Sequence, residues 1–156
     1  VTGSTFRAYR SLTGTVSVPT GEVPLPADTF NVVDYRSPDI LWNATTNELT
    51  VQTAGTYLGA MRLEYNAVAG MGATNWYPLW YRGGVSRHQG KPVKSVSTNG
   101  VGVPALSADS GVGGDPYVDY LPAGTVLRLG MNSTGPTTIK GDAAGVTTNV
   151  SLVRIG

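Results

Sequence analysis

The sequence predicts an all-β fold, a two-sheet sandwich or jelly roll of about ten short antiparallel strands. Three observations predict it. Apolar and polar residues alternate with period two, between turn residues, almost from end to end. The 156 residues include 21 glycines and 10 prolines, about a fifth of the chain, against an average near 12 %. No stretch carries a credible helical pattern, and the chain is rich in Gly, Thr, Val and Ser rather than the Ala, Glu, Lys and Leu of bundles. At roughly 100–200 residues per domain, the expected organisation is one domain over 1–156, with residues 1–24 forming an N-terminal strand and arm.

The elements follow in order. Thr5–Arg10 places Phe6 and Ala8 on one face, and Val16 and Val18 alternate just before Pro19. After a stretch marked by Pro19, Pro24 and Pro26, Thr29–Tyr35 sets Phe30 and Val32 against Val33 and Tyr35. Glu48–Gln52 puts Leu49 and Val51 on one face, and Ala54-Gly55 makes the turn. Thr56–Tyr65 then directs Tyr57, Gly59, Met61, Leu63 and Tyr65 one way, and Leu58, Ala60, Arg62 and Glu64 the other. Tyr57, Met61 and Leu63 are therefore expected on a buried face. Trp76–Arg82 is an aromatic strand whose internal Pro78 suggests a sheet edge or bulge, because proline cannot donate to the ladder. Val93–Ser97 is a short strand, and Gly-rich, Ser- and Asp-dotted Asn99–Asp119 reads as a surface loop. Thr125–Met131 and Val150–Ile155 close the domain.

Composition removes several function classes. No Cys is present, which excludes a disulfide scaffold, a thiolate zinc site and a Cys nucleophile. Eleven Lys and Arg nearly balance ten Asp and Glu, so the whole molecule exerts no pull toward nucleic acid or an anionic membrane. No run approaches the ~18 apolar residues of a membrane span. The chain opens on Val1 without the basic and apolar regions of a signal peptide, which suits a processed chain, a fragment or a valine-type start codon.

The catalytic inventory is thin. The single His, His88, sits in the polar segment Arg87-His88-Gln89-Gly90, the setting of a solvated side chain. No Gly-x-Ser-x-Gly elbow is present. Asp28, Asp34, Asp39, Asp109, Asp115, Asp119 and Asp142 all fall in or beside expected turns, where Asp bonds its own backbone, so a two-carboxylate glycosidase is disfavoured. Gly84 to Lys91 has five residues between its glycines and Pro92 where a phosphate loop needs Ser or Thr. Asp109–Asp115 lacks the alternating acids and closing Glu of a calcium loop, which leaves an Asp109/Asp115/Asp119 site as the weakest option. The Asn43, Asn132 and Asn149 triplets match the glycosylation pattern, as chance allows in a Ser/Thr-rich chain. No enzyme activity, cofactor or metal is expected.

Two features suit binding. Arg82, Arg87, Lys91 and Lys94 fall within thirteen residues that contain no acid, a basic segment able to dock an acidic surface. Trp76, Tyr77, Trp80 and Tyr81 cluster within six residues. Alternation sends one pair toward the core and the other toward an interface or a sugar, since aromatics dominate interface cores.

A family pattern runs through these elements. Phe30, then Trp42-Asn43, Thr46-Asn47, Leu49, Ala54-Gly55 and Tyr57 resemble the central signature of the complement-globular-head and tumour-necrosis-factor jelly-roll superfamily. Thr5-Phe6-Arg7-Ala8 is similar to its first strand. Leu121-Pro122-Ala123-Gly124-Thr125-Val126 is similar to its late turn and strand, with Thr125 where the family has Asp. The resemblance implies a ten-stranded jelly roll and a tight homotrimer, in which buried interface would replace crosslinks. A Cys-free, low-charge, Gly- and Thr-rich chain further resembles versions on bacteriophage particles and spore surfaces. The expected function is a non-enzymatic virion structural protein, a trimeric capsid decoration protein or head-fibre knob on the particle exterior, assembled in the host cytoplasm. Its partners would be itself and the major capsid protein or another virion protein, with no nucleic acid and no membrane insertion. The alternative is a host-attachment role, the receptor-binding tip of a phage tail fibre, recognising a surface glycan through Trp76–Arg82 and the Asn99–Asp119 loop.

Overall fold

The computed structural model describes residues 3–67, 74–89, 93–95, 116–135 and 137–156. Among them are fifteen strand segments and no helix. In chain order these are β1 (Thr5–Tyr9), β2 (Val16–Val18), β3 (Gly21–Pro24), β4 (Val32–Arg36), β5 (Ile40–Asn43), β6 (Glu48–Val51), β7 (Gly55–Arg62) and β8 (Glu64–Ala67). There follow β9 (Thr74–Arg82), β10 (Val85–Gln89), β11 (Val93–Ser95), β12 (Tyr117–Leu121), β13 (Thr125–Ser133), β14 (Thr137–Lys140) and β15 (Asn149–Arg154). All ladders are antiparallel: a five-stranded sheet β12-β7-β15-β1-β4, a seven-stranded sheet built on β10-β9-β13-β6-β5, and a small sheet β2-β14-β8. In the seven-stranded sheet β11 also pairs with β9, and β3 with β13.

The core lies between the inner faces of these sheets and is drawn from both ends of the chain. Phe6, Tyr57, Met61, Tyr117 and Leu152 meet Leu49, Trp76, Trp80, Leu127 and Leu129. Aromatic contacts bridge the layers. Trp42 packs on Phe6 at 5.1 Å and on Phe30 at 6.3 Å, Tyr65 stacks on Trp76, and Trp80 stacks on Tyr117, the last two at 5.4 Å between centroids. Burying each such side chain contributes about 1.5–3 kcal/mol.

The family-like residues have local physical jobs. Asn43 Oδ1 accepts hydrogen bonds from the backbone N–H groups of Thr45 and Thr46, closing the β5–β6 turn. Asn47 adopts a left-handed φ of 52°, which Asn tolerates better than most residues. Its Nδ2 donates to the Leu25 and Pro26 carbonyls, and its own carbonyl accepts from Leu129 N.

Several expectations change. Thr56–Tyr65 divides at Leu63: β7 belongs to the five-stranded sheet and β8 to the small one. Side-chain alternation persists through that corner, so Tyr57, Met61 and Leu63 are buried as expected, and Tyr65 with them. Glu64 N donates to Thr148 Oγ1, which donates in turn to the Lys140 carbonyl, and the corner is held. The proline-marked stretch conceals β3, and residues 5–24 supply three strands laddered into three sheets rather than an arm. Pro78 does not mark an edge. Strand β9 pairs with β13 on one side and with β10 and β11 on the other. The described ladders on that second side end at Leu79 and resume at Trp76, so Pro78 falls in the interval between them. Asp34 and Asp119 lie within strands rather than turns.

Candidate functional site

The aromatic strand β9 splits as alternation requires. Trp76 and Trp80 are buried and point into the sandwich, so neither presents a surface to a partner or glycan. This corrects their assignment as binding residues. Tyr77 and Tyr81 lie on the outward face of the seven-stranded sheet and are partly exposed. In register, Tyr81 sits opposite Arg128, and Leu79 opposite Gly130.

The basic segment is also less basic than its sequence. Arg82 Nη1 lies 2.9 Å from Asp119 Oδ2 and also donates to the Tyr120 carbonyl. The Tyr117 hydroxyl donates to the same Asp119 oxygen at 2.8 Å. Burial alone would raise the Asp119 carboxyl, but the bonds from Tyr117 and Arg82 and the charges of Arg82 and Arg87 outweigh it and hold it below the usual carboxylate range. Burial, reinforced by Asp119, pushes the Tyr117 hydroxyl up, so it remains a donor. The acid that neutralises Arg82 is 37 residues away, which is why a window over 82–94 misses it. Arg87 stays exposed. Lys91 lies outside the described residues. Lys94 is placed by its backbone, opposite Asn75 in the β11–β9 ladder.

Ser86, Arg87, His88, Tyr117, Val118 and Asp119 line a polar groove of about 290 Å³ where the edge strands of the two large sheets meet. The His88 ring lies 6.0 Å from that of Tyr117. Asp109 and Asp115 lie outside the described residues, and Asp119 is committed to Arg82 and Tyr117. Among the described residues no group of three or more acids or histidines is placed to hold a metal.

A second surface has no counterpart in the sequence reading. On the outward face of the five-stranded sheet, Val118, Leu58 and Val153 form one cross-strand row. Tyr120 lies opposite Thr56, whose carbonyl accepts from Ile155 N. Val118 is 53 %, Tyr120 59 % and Ile155 57 % exposed. The signal existed in the sequence: Tyr117 and Leu121 are apolar inward and Val118 and Tyr120 apolar outward, and a strand apolar on both faces is usually covered on both. The polar, Gly-rich stretch before it hid the strand.

No protein-family model matches the chain, and no curated protein matches its sequence. Solved structures do match. The Eiger TNF from S. frugiperda aligns over 100 % of this chain and 94 % of its own, with TM-score 0.57 and 14 % identity. Murine APRIL aligns over 98 % and 99 %, with TM-score 0.55 and 12 % identity. Pika GITRL aligns over 100 % and 98 %, with TM-score 0.52 and 11 % identity. The fold is the TNF-like jelly roll. The expected fold class therefore stands, with β1 and β15, the first and last strands, side by side in one sheet. At such identities the likeness is one of fold, and function rests on the surfaces described above.

Proposed function

We propose that this chain is a non-enzymatic assembly protein, a trimeric decoration protein or head-fibre knob on a virion exterior, which self-associates through the outward face of its five-stranded sheet. The observation that carries this reading is the row Val118–Leu58–Val153, continued by Tyr120 and Ile155. Contiguous apolar side chains on a solvent-facing sheet are a recognised mark of an interaction site. Three copies meeting on this face would bury β-branched and aromatic side chains at about 25 cal/mol per Å². An obligate interface of roughly 2,000 Å² or more holds such an assembly without disulfides. The seven-stranded sheet would then face outward, leaving its turns free to seat on a shell.

The test is the mass in solution by light scattering during dilution to about 1 µM, for the natural chain and for Val118→Asp and Tyr120→Lys. The natural chain is expected at three times the single-chain mass, and the variants as folded monomers. A natural chain that runs as a monomer sinks the self-association. For the virion role, protein is added to undecorated capsids and expected to bind in clusters of three. A folded trimer without capsid affinity overturns that part alone.

A further inference from the structure

We infer that the outward face of the seven-stranded sheet carries a binding site for a neutral saccharide, built by Tyr81, Glu22, Pro24 and Arg128. These residues, with Gly84, line a surface cavity of about 270 Å³, room for a single sugar ring. The site is assembled across three strands. Strand β13 sets Arg128 opposite Tyr81 of β9, while Pro24 and Glu22 of β3 lie opposite Gly130 and Asn132. Tyr81 lies across Gly130: a Cβ there would collide with Tyr81 Cε2 and come within 2.7 Å of the Val23 carbonyl oxygen. Gly130 has no positive φ, so space rather than backbone conformation explains the glycine. Leu79, opposite Gly130, is buried though it stands outside the main core cluster.

The chemistry of the lining selects the ligand. Burial and a hydrogen bond to Glu22 push the Tyr81 hydroxyl up, so it stays protonated and donates to that carboxylate. Glu22 is exposed and retains acceptor capacity, since a carboxylate offers about four lone-pair sites. Arg128, 41 % exposed, faces Glu48 only at 3.9 Å, too long for a hydrogen bond. The cavity thus joins an aromatic ring and a proline, which pack against sugar C–H groups, to a carboxylate that accepts from hydroxyls and a guanidinium that donates to them. In the lining Glu22 balances Arg128, and Glu48 lies 3.9 Å from Arg128, so no excess of positive charge is present to hold an anionic sugar. The Gly83-Gly84 turn, with φ of 57° and 80°, leaves no side chain at one lip.

This site lies on the opposite sheet from the self-association face and does not depend on it. The experiment follows backbone amide shifts of the isotopically labelled chain during addition of methyl glucoside, methyl galactoside and methyl mannoside, each to about 10 mM, the range in which a shallow site fills. Saturable shifts are expected around Tyr81, Glu22 and Arg128 for at least one sugar. Tyr81→Phe, which keeps the ring and loses the tie to Glu22, should weaken binding severalfold. Glu22→Gln and Tyr81→Ala should weaken it at least tenfold, with mass and unfolding midpoint little changed. No saturable shift with any of the three sugars overturns the proposal. So does binding that persists in both Glu22→Gln and Tyr81→Ala.

Discussion

Gly59 offers the sharpest test of how the two sheets are packed. A Cβ at Gly59 would lie 2.8 Å from Cη2 and 2.9 Å from Cζ2 of Trp80. The indole cannot simply retreat, because it stacks on Tyr117 at 5.4 Å, and Tyr117 is tied through its hydroxyl to Asp119 and thence to Arg82. Gly59→Ala therefore overpacks the interface at a cost of about 1–3 kcal/mol. Alanine offsets roughly 0.5–1 kcal/mol of this by stiffening the unfolded chain. The net loss is about 0–2.5 kcal/mol, centred near 1, or a drop of a few degrees in Tm at roughly 2–4 °C per kcal/mol. In a Trp80→Leu background, itself destabilised by about 3 kcal/mol, the obstruction is gone and the same Gly59→Ala change should stabilise by roughly 0.5–1 kcal/mol. Urea unfolding of the four proteins at one concentration measures the cycle, with the slope checked for two-state behaviour. An equal cost of Gly59→Ala in both backgrounds would refute the packing argument.

Two further predictions concern charge. Hydrogen bonds from Ser4, Thr53 and Ser37 outweigh the effect of burial and lower the Asp39 carboxyl to about 2. Because the folded value is depressed below an unfolded value near 4, this stabilisation is present above about pH 4 and lost as pH falls toward 2. Stability measured across that window should decline less steeply in Asp39→Asn, and an unchanged slope would contradict the assignment. Asp119→Asn removes the charge facing Arg82, so the variant should elute from a polyanion column at higher salt than the natural chain. Identical elution would show that Arg82 is not masked by Asp119.

Legibility in the sequence followed the range of the interactions involved. Burial of Tyr57, Met61 and Leu63, the turn around Asn43 and the Gly55–Tyr57 entry to β7 were readable because each depends on neighbours a few residues away. The division of the four aromatics into two faces was readable for the same reason, though not which pair remained accessible. Strand β12 was hidden by the polar stretch before it, and β3 by its prolines. Of the saccharide cavity only Tyr81, in the aromatic cluster, was legible. Glu22 and Arg128 come from two other segments, and each looks like an ordinary surface residue on its own strand.

The sequence by itself therefore determined the all-β character and the inward-facing residues, since period-two alternation is a local consequence of pleating. Its family-like pieces also pointed to the TNF-like jelly roll. Only the tertiary structure decided that Arg82 is neutralised, that Pro78 sits within the sheet rather than at its edge, and that an apolar row remains on the five-stranded sheet. Each of these depends on which strands become neighbours. Strand order sets distances between residues far apart in the chain, and charge masking, ladder position and contiguity of exposed surface are properties of those distances.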